Sequence, residues 1–217
     1  MTLLLSLLLA SLTPTALAGP DRSLGVSAVT GTIGQSGAIA GRLRWDSGVQ
    51  FGARVEGALV QGWYIDGWEV RDGTALAGVA SATVPLIRSE TVRIDVEIDS
   101  GLRFLSATDT DADDDQATVL LLDVAPMVTL PLGRPFAARV GWKQITHLQR
   151  RPGPGLEAQG SLLRGAVMWT PSDDLQLGID GAVGGVFGFG GDGGKALAQA
   201  GLMMRWVPGA ARTYTNH

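Results

Sequence analysis

The chain has 217 residues, 17 Lys and Arg against 21 Asp and Glu, a formal charge of −4 and no cysteine. Basic residues this few argue against a nucleic-acid partner, and the absence of thiols excludes disulfides and thiolate metal sites. Charged residues make up 18% of the chain and glycine is abundant at 31 residues, a composition suited to apolar strands whose outer surface is not in water.

Residues 1–18 read as a signal peptide. Leucines at 3–5 and 7–9 supply an apolar core, and Ala16, Leu17 and Ala18 give the small-x-small cleavage pattern ahead of Gly19 and Pro20. A membrane anchor is the poorer reading, because Ser6, Ser11, Thr13 and Pro14 interrupt the run and a helical span needs about 20 apolar residues. No later segment offers 18 continuous apolar residues, so spanning by helices is not expected. The plan is a signal peptide over 1–18, a barrel domain over 19–210 and a short tail over 211–217.

Ten strands are expected, over 22–33, 37–46, 49–61, 74–87, 90–104, 117–132, 135–147, 160–171, 174–187 and 196–207, each ending near a turn signal. Eight or twelve strands are the alternatives, since the first and fourth alternate weakly. Connections alternate in length. Tight turns fall at 46–48, 88–89, 133–134 and 172–173, and longer segments at 62–73, 105–116, 148–159 and 188–195. The connection at 34–37 is the exception, short although it belongs to the long-loop end. Such alternation is the pattern of an antiparallel up-and-down transmembrane β-barrel.

The sharpest strand is 92–99, V-R-I-D-V-E-I-D. Successive side chains of a strand point to opposite faces, so Val92, Ile94, Val96 and Ile98 share one face, and Arg93, Asp95, Glu97 and Asp99 the other. Elsewhere Arg42, Arg44, Arg54, Glu56, Asp123, Arg139, Lys143, Arg164 and Asp180 also fall on the polar parity, with Arg205 as a further member. A soluble barrel turns the apolar face inward and a membrane barrel turns it outward. The second faces of several strands hold mainly Ala, Gly, Ser, Thr, Leu and Met, a poor surface for water. These faces therefore line a narrow lumen, where the charges must pair.

Aromatic positions give an independent sign. Trp45, Phe51, Phe136, Trp169 and Trp206 fall beside the short turns. Trp63, Tyr64, Phe104, Phe187 and Phe189 fall at the opposite strand ends, leaving Trp142 near the middle. Two aromatic girdles at headgroup depth are the expectation.

On the signal segment, the alternation, the loop asymmetry and the girdles, the chain resembles the small outer-membrane β-barrel proteins of Gram-negative bacteria over most of 22–207. The run P-M-V-T-L-P-L-G at 126–133 looks like their descending strand and tight turn. The resemblance implies residence in the outer membrane, contact with its lipid and lipopolysaccharide, and the barrel-assembly machinery as a partner during biogenesis. Such barrels usually end on an aromatic residue, whereas this chain continues past Trp206 to Tyr214 and His217; either Trp206 plays that part with a short tail behind it, or assembly uses a different signal. The role implied is structural, surface-interacting or narrow-pore, without cofactor. The alternatives are a soluble exported barrel binding a small apolar ligand, and a small enzyme acting on lipid or peptide at the outer rim.

Three segments could carry chemistry. Asp109, Asp111 and Asp113 have a D-x-D-x-D spacing that could face Ca²⁺, but the EF-hand pattern fails at Asp114 and Leu120, so a solvated loop is expected. His147, with Thr146, Gln149 and Ser161 nearby, is the one position for an acid/base group outside the tail, and no G-x-S-x-G elbow accompanies it. The glycine-rich run at 188–195 lacks the Ser or Thr after Lys195 that a phosphate loop requires, and the basic run at 150–155 reads as a solvated loop.

Overall fold

The computed structural model describes residues 21–45, 47–65, 68–89, 91–110, 115–133, 135–151, 155–188 and 194–207. The signal segment, the tail with His217, Phe189, Asp111 and Asp113 lie outside them. The described residues contain strands and no helix: β1 (Asp21–Gly31), β2 (Gly34–Arg44), β3 (Gln50–Val60), the short β4 (Trp63–Ile65), β5 (Trp68–Arg88), β6 (Arg93–Thr110), β7 (Gln116–Gly133), β8 (Phe136–Arg151), β9 (Gly155–Ser172), β10 (Leu175–Gly188) and β11 (Gly194–Trp206).

Each long strand pairs antiparallel with its sequence neighbours, β3 pairs with β5, and β1 pairs with β11. The result is a closed ten-strand up-and-down barrel, with β4 folded back on the start of β5 as a small hairpin. Closure removes the two raw sheet edges that an open meander would leave.

The loop segments are shorter than the sequence suggests. Much of the polar stretches at 62–73, 105–116 and 148–159 continues the ladder, so β5 has 21 residues and β6, β7 and β9 have 18 each. Cross-strand pairing of adjacent hairpins overrides the local turn propensity of their Gly and Asp residues. β1, β2 and β3 have only 11 residues each. The wall is therefore tall from β5 to β9 and low at the β1–β2 hairpin.

Prolines sit where the ladder can spare a donor. Pro126 pairs with Val96 on one side, but the β7–β8 register skips from Val124 opposite Gln144 to Met127 opposite Gly141. The β5–β6 ladder shifts between Pro85 and Ile87.

The barrel's polarity is inverted relative to a soluble one. Val55, Leu76, Ile98, Leu122, Val140, Leu163, Ile179 and Leu202 are all exposed on the outside, whereas Asp95 is only 2% exposed. In the sharp strand, Arg93, Asp95, Glu97 and Asp99 line the interior; Val92 precedes β6 and so is not part of the strand. An apolar exterior is the reverse of what a soluble exported barrel requires, which removes that alternative.

Candidate functional site: the lumen

All thirteen charged residues assigned to the lumen from sequence parity line one interior cavity of about 530 Å³. Because adjacent strands run at opposite senses with side chains of one parity inward, their long polar groups meet across strands. Arg54 on β3 contacts Asp99 on β6 at 2.8 Å and Glu56 on its own strand at 3.7 Å. Arg93 Nε donates to Asp95 Oδ1 at 2.8 Å. Arg139 on β8 and Arg164 on β9 share Glu97, and Arg164 also lies 3.8 Å from Asp180 on β10. Lys143 Nζ meets Asp123 Oδ2 at 2.7 Å. Charge-assisted contacts of this kind offset the cost of holding ions away from bulk water only when both signs are present, as they are here.

Small residues on the inner wall make room for these groups. A Cβ at Gly52 would meet Arg42 Cγ at 2.9 Å and Ser81 Oγ at 2.8 Å, and one at Gly201 would meet Asp180 Oδ1 at 2.6 Å. Glycine at each place leaves room for a charged side chain of the next strand against the wall.

Toward the long-walled end the interior changes character. Val70, Leu105, Val119, Leu121, Ile145, Leu162, Val186 and Leu197 form one buried apolar cluster, with Val70 and Val119 0% exposed. Sequence parity put these second faces on the lumen side. Toward this end they also pack against one another, and Leu105, Leu121, Ile145, Leu162 and Leu197 line the same cavity as the charges. Lys195 Nζ donates to Gly62 O at 2.7 Å, tying β11 to the β3–β4 turn over the low hairpin.

Trp63 is part of this plug and not of an outer girdle. It is 6% exposed, its ring centroid lies 5.9 Å from that of His147, and the Arg103 guanidinium stands 5.9 Å from its ring centre. The reason is local: Gly62 has φ +70° between β3 and β4, which resets the inward-outward alternation. Trp45, Phe51, Phe136, Trp169 and Trp206 are exposed beside the short turns, with Trp45 and Phe51 packed edge to face at 5.5 Å. Phe104 and Phe187 are exposed toward the opposite end and Trp142 between the two; the side chain of Tyr64 and all of Phe189 lie outside the described residues.

His147 is buried inside, its Nε2 3.4 Å from Asp123 Oδ1. Ser161 does not join it. Ser161 Oγ donates to Gln144 Oε1 at 2.9 Å, on residues of the opposite parity that face outward, so the wall separates serine from imidazole. The sequence pairing of Ser161 with His147 is therefore corrected: neighbouring strands bring them close along the chain direction but on opposite faces. Asp109, the first residue of the weak Ca²⁺ candidate, pairs with Arg71 at 2.7 Å. Among the described residues no group of three or more His, Cys, Asp or Glu is placed to hold a metal ion.

An apolar exterior around a charged and plugged interior defines a small β-barrel of the membrane-spanning type. Its fold is similar to that of several solved Gram-negative outer-membrane barrels. They include the translocator domain of the autotransporter NalP from Neisseria meningitidis (10% identity over 88% of this chain and 89% of that one, TM-score 0.49). The KdgM porin in complex with disordered oligogalacturonate is similar at 9% identity over 85% and 98% of the two chains, TM-score 0.43. Neisserial surface protein A is similar at 12% identity over 87% and 97%, TM-score 0.43. No family model and no curated protein matches the sequence. At these identities the likeness is one of fold alone.

Proposed function

We propose that this chain is a β-barrel of the Gram-negative outer membrane that serves as a closed, membrane-anchored strut, with its short turns in the periplasm and its tall β5–β9 wall outside. One observation carries this reading: exposed aliphatics cover the exterior while ion pairs and an apolar cluster crowd the interior around a cavity of about 530 Å³. Lipid is the solvent that such an exterior requires. Open solute passage uses about 16–18 strands in porins, and ten strands with a packed core leave no comparable channel. Lipid and lipopolysaccharide would surround the belt, and the barrel-assembly machinery would insert the chain with Trp206 at the end of its last strand.

The test is to express the full chain in a Gram-negative host, fractionate the envelope and compare gel mobility before and after boiling. The expected result is an outer-membrane protein with heat-modifiable mobility and negligible single-channel conductance in planar bilayers. Recovery from the periplasmic supernatant without detergent overturns the membrane reading, and large stable conductance overturns the strut.

A further inference from the structure

The lumen's charges do not balance. Nine Arg and Lys side chains line the cavity against six Asp and Glu. All six carboxylates are engaged by five of the cations: Arg54, Arg93, Arg139, Lys143 and Arg164. Arg103 stands over the Trp63 ring. Arg42, Arg44 and Arg205 remain; Glu97 attracts Arg42 through space, but none of the three has a carboxylate within ion-pair distance among the described side chains.

These three are neighbours. Arg205 Nε donates to Ser23 Oγ at 3.0 Å. Ser23 lies directly opposite Arg42 in the β1–β2 ladder, and Arg44 follows Arg42 on the same face. Space is provided for them. Gly25, opposite Arg205 and also on the cavity wall, has no side chain, and Gly52 leaves the Arg42 stem its path. Three like charges gathered in a partly dehydrated place, with no carboxylate at ion-pair distance among the described side chains, are costly unless an anion joins them.

We infer that Arg42, Arg44 and Arg205 form a binding site for a phosphate-class oxyanion at the short-turn end of the lumen. The guanidinium fork matches tetrahedral oxyanions through paired N–H donors, and a multivalent anion answers three positive charges better than a single carboxylate does. Two sources share that chemistry, free phosphate and the headgroup of a phospholipid. The proposal rests on the membrane reading above for the compartment from which the anion comes.

The experiment is equilibrium dialysis of the folded, delipidated full chain in neutral detergent against radiolabelled inorganic phosphate, at ionic strength held constant with chloride. Saturable single-site binding is expected, weakened ~10-fold or more in the Arg42→Gln, Arg205→Gln double variant and retained in Arg22→Gln, whose side chain is exposed. Displacement of the label by phosphatidylglycerol micelles, or phospholipid that co-purifies with the wild type and not with the double variant, supports the same site and assigns the headgroup as source. Absence of saturable binding to the wild type overturns the proposal, as does undiminished binding to the double variant. Should the double variant fail to fold, the wild-type isotherm decides alone. Heat-modifiable mobility is measured on the same samples, so failure of the membrane reading registers separately from failure of the anion site.

Discussion

Arg139 on β8 reaches past β7 to Glu97 on β6, Nη2 to Oε1 2.8 Å, while its Nε lies 3.3 Å from Thr129 Oγ1 on the strand between. Glu97 holds Arg164 of β9 on its other oxygen at 3.4 Å. One carboxylate thus fastens three strands that are not all adjacent in the sheet. Glu97→Gln leaves Arg139 without its countercharge and Arg164 with only its 3.8 Å contact to Asp180, and is expected to destabilise the barrel by about 3 kcal/mol, the lower part of the range for breaking an enclosed pair from one side. Equilibrium urea unfolding in lipid vesicles, followed by tryptophan fluorescence, measures it. A Glu97→Leu, Arg139→Met double variant should lose less than the sum of its two single changes.

The exterior makes its own prediction. Ile179 is 63% exposed and lies between Val167 and Leu202, both also outward. Ile179→Arg places a guanidinium against hydrocarbon and should cost about 2–4 kcal/mol if the site lies near the bilayer midplane. The same substitution at Ser172, beside a short turn, should be nearly neutral. Equal, small effects at the two positions in the same vesicle assay would contradict a lipid-facing belt.

Trp63 tests the plug. Its removal by Trp63→Ala opens space between His147, Arg103 and the apolar cluster. The expected outcome is a loss of about 3–5 kcal/mol of stability together with a conductance in planar bilayers that the wild type lacks. An unchanged, silent bilayer trace would mean that the remaining apolar side chains seal the lumen without the indole.

Two turn glycines separate backbone strain from collision. Gly133 has φ +96° with open space around its missing Cβ, so Gly133→Ala should cost only the left-handed backbone penalty of about 1–2 kcal/mol. Gly34 has φ +118° and a Cβ there would run into Leu59 O, so Gly34→Ala should cost clearly more. Unfolding midpoints of the two variants, measured side by side, check the order.

Much of the architecture was legible because a strand's period is two. The alternation of Arg42 and Arg44 with Leu43, or of Asp95 and Glu97 with Val96, states which side chains share a face without reference to any partner strand. The lumen's membership therefore could be read from parity. Its pairing could not, since Arg54 meeting Asp99 depends on strands 45 residues apart. Trp63 was misplaced because a single positive-φ glycine breaks the alternation, and Gly62 looks like any loop glycine in the sequence. Ser161 was set beside His147 by strand order alone, although each sits on the opposite parity. The tall walls were hidden as well: polar residues near 105–116 carry loop propensity, and only the neighbouring hairpins supply the ladder that overrides it.

The seam between β1 and β11 joins residues 24–31 to residues 199–206, and Ser23 meets Arg205 across 182 positions of chain. No shorter stretch of the polypeptide can form the ring. During synthesis the first strand emerges with its hydrogen-bonding edge bare and stays so until the last strand arrives, an interval in which any passing strand is a competitor. A cell that makes this protein must therefore shield the nascent chain from its own kind and release it to close only when both ends are present.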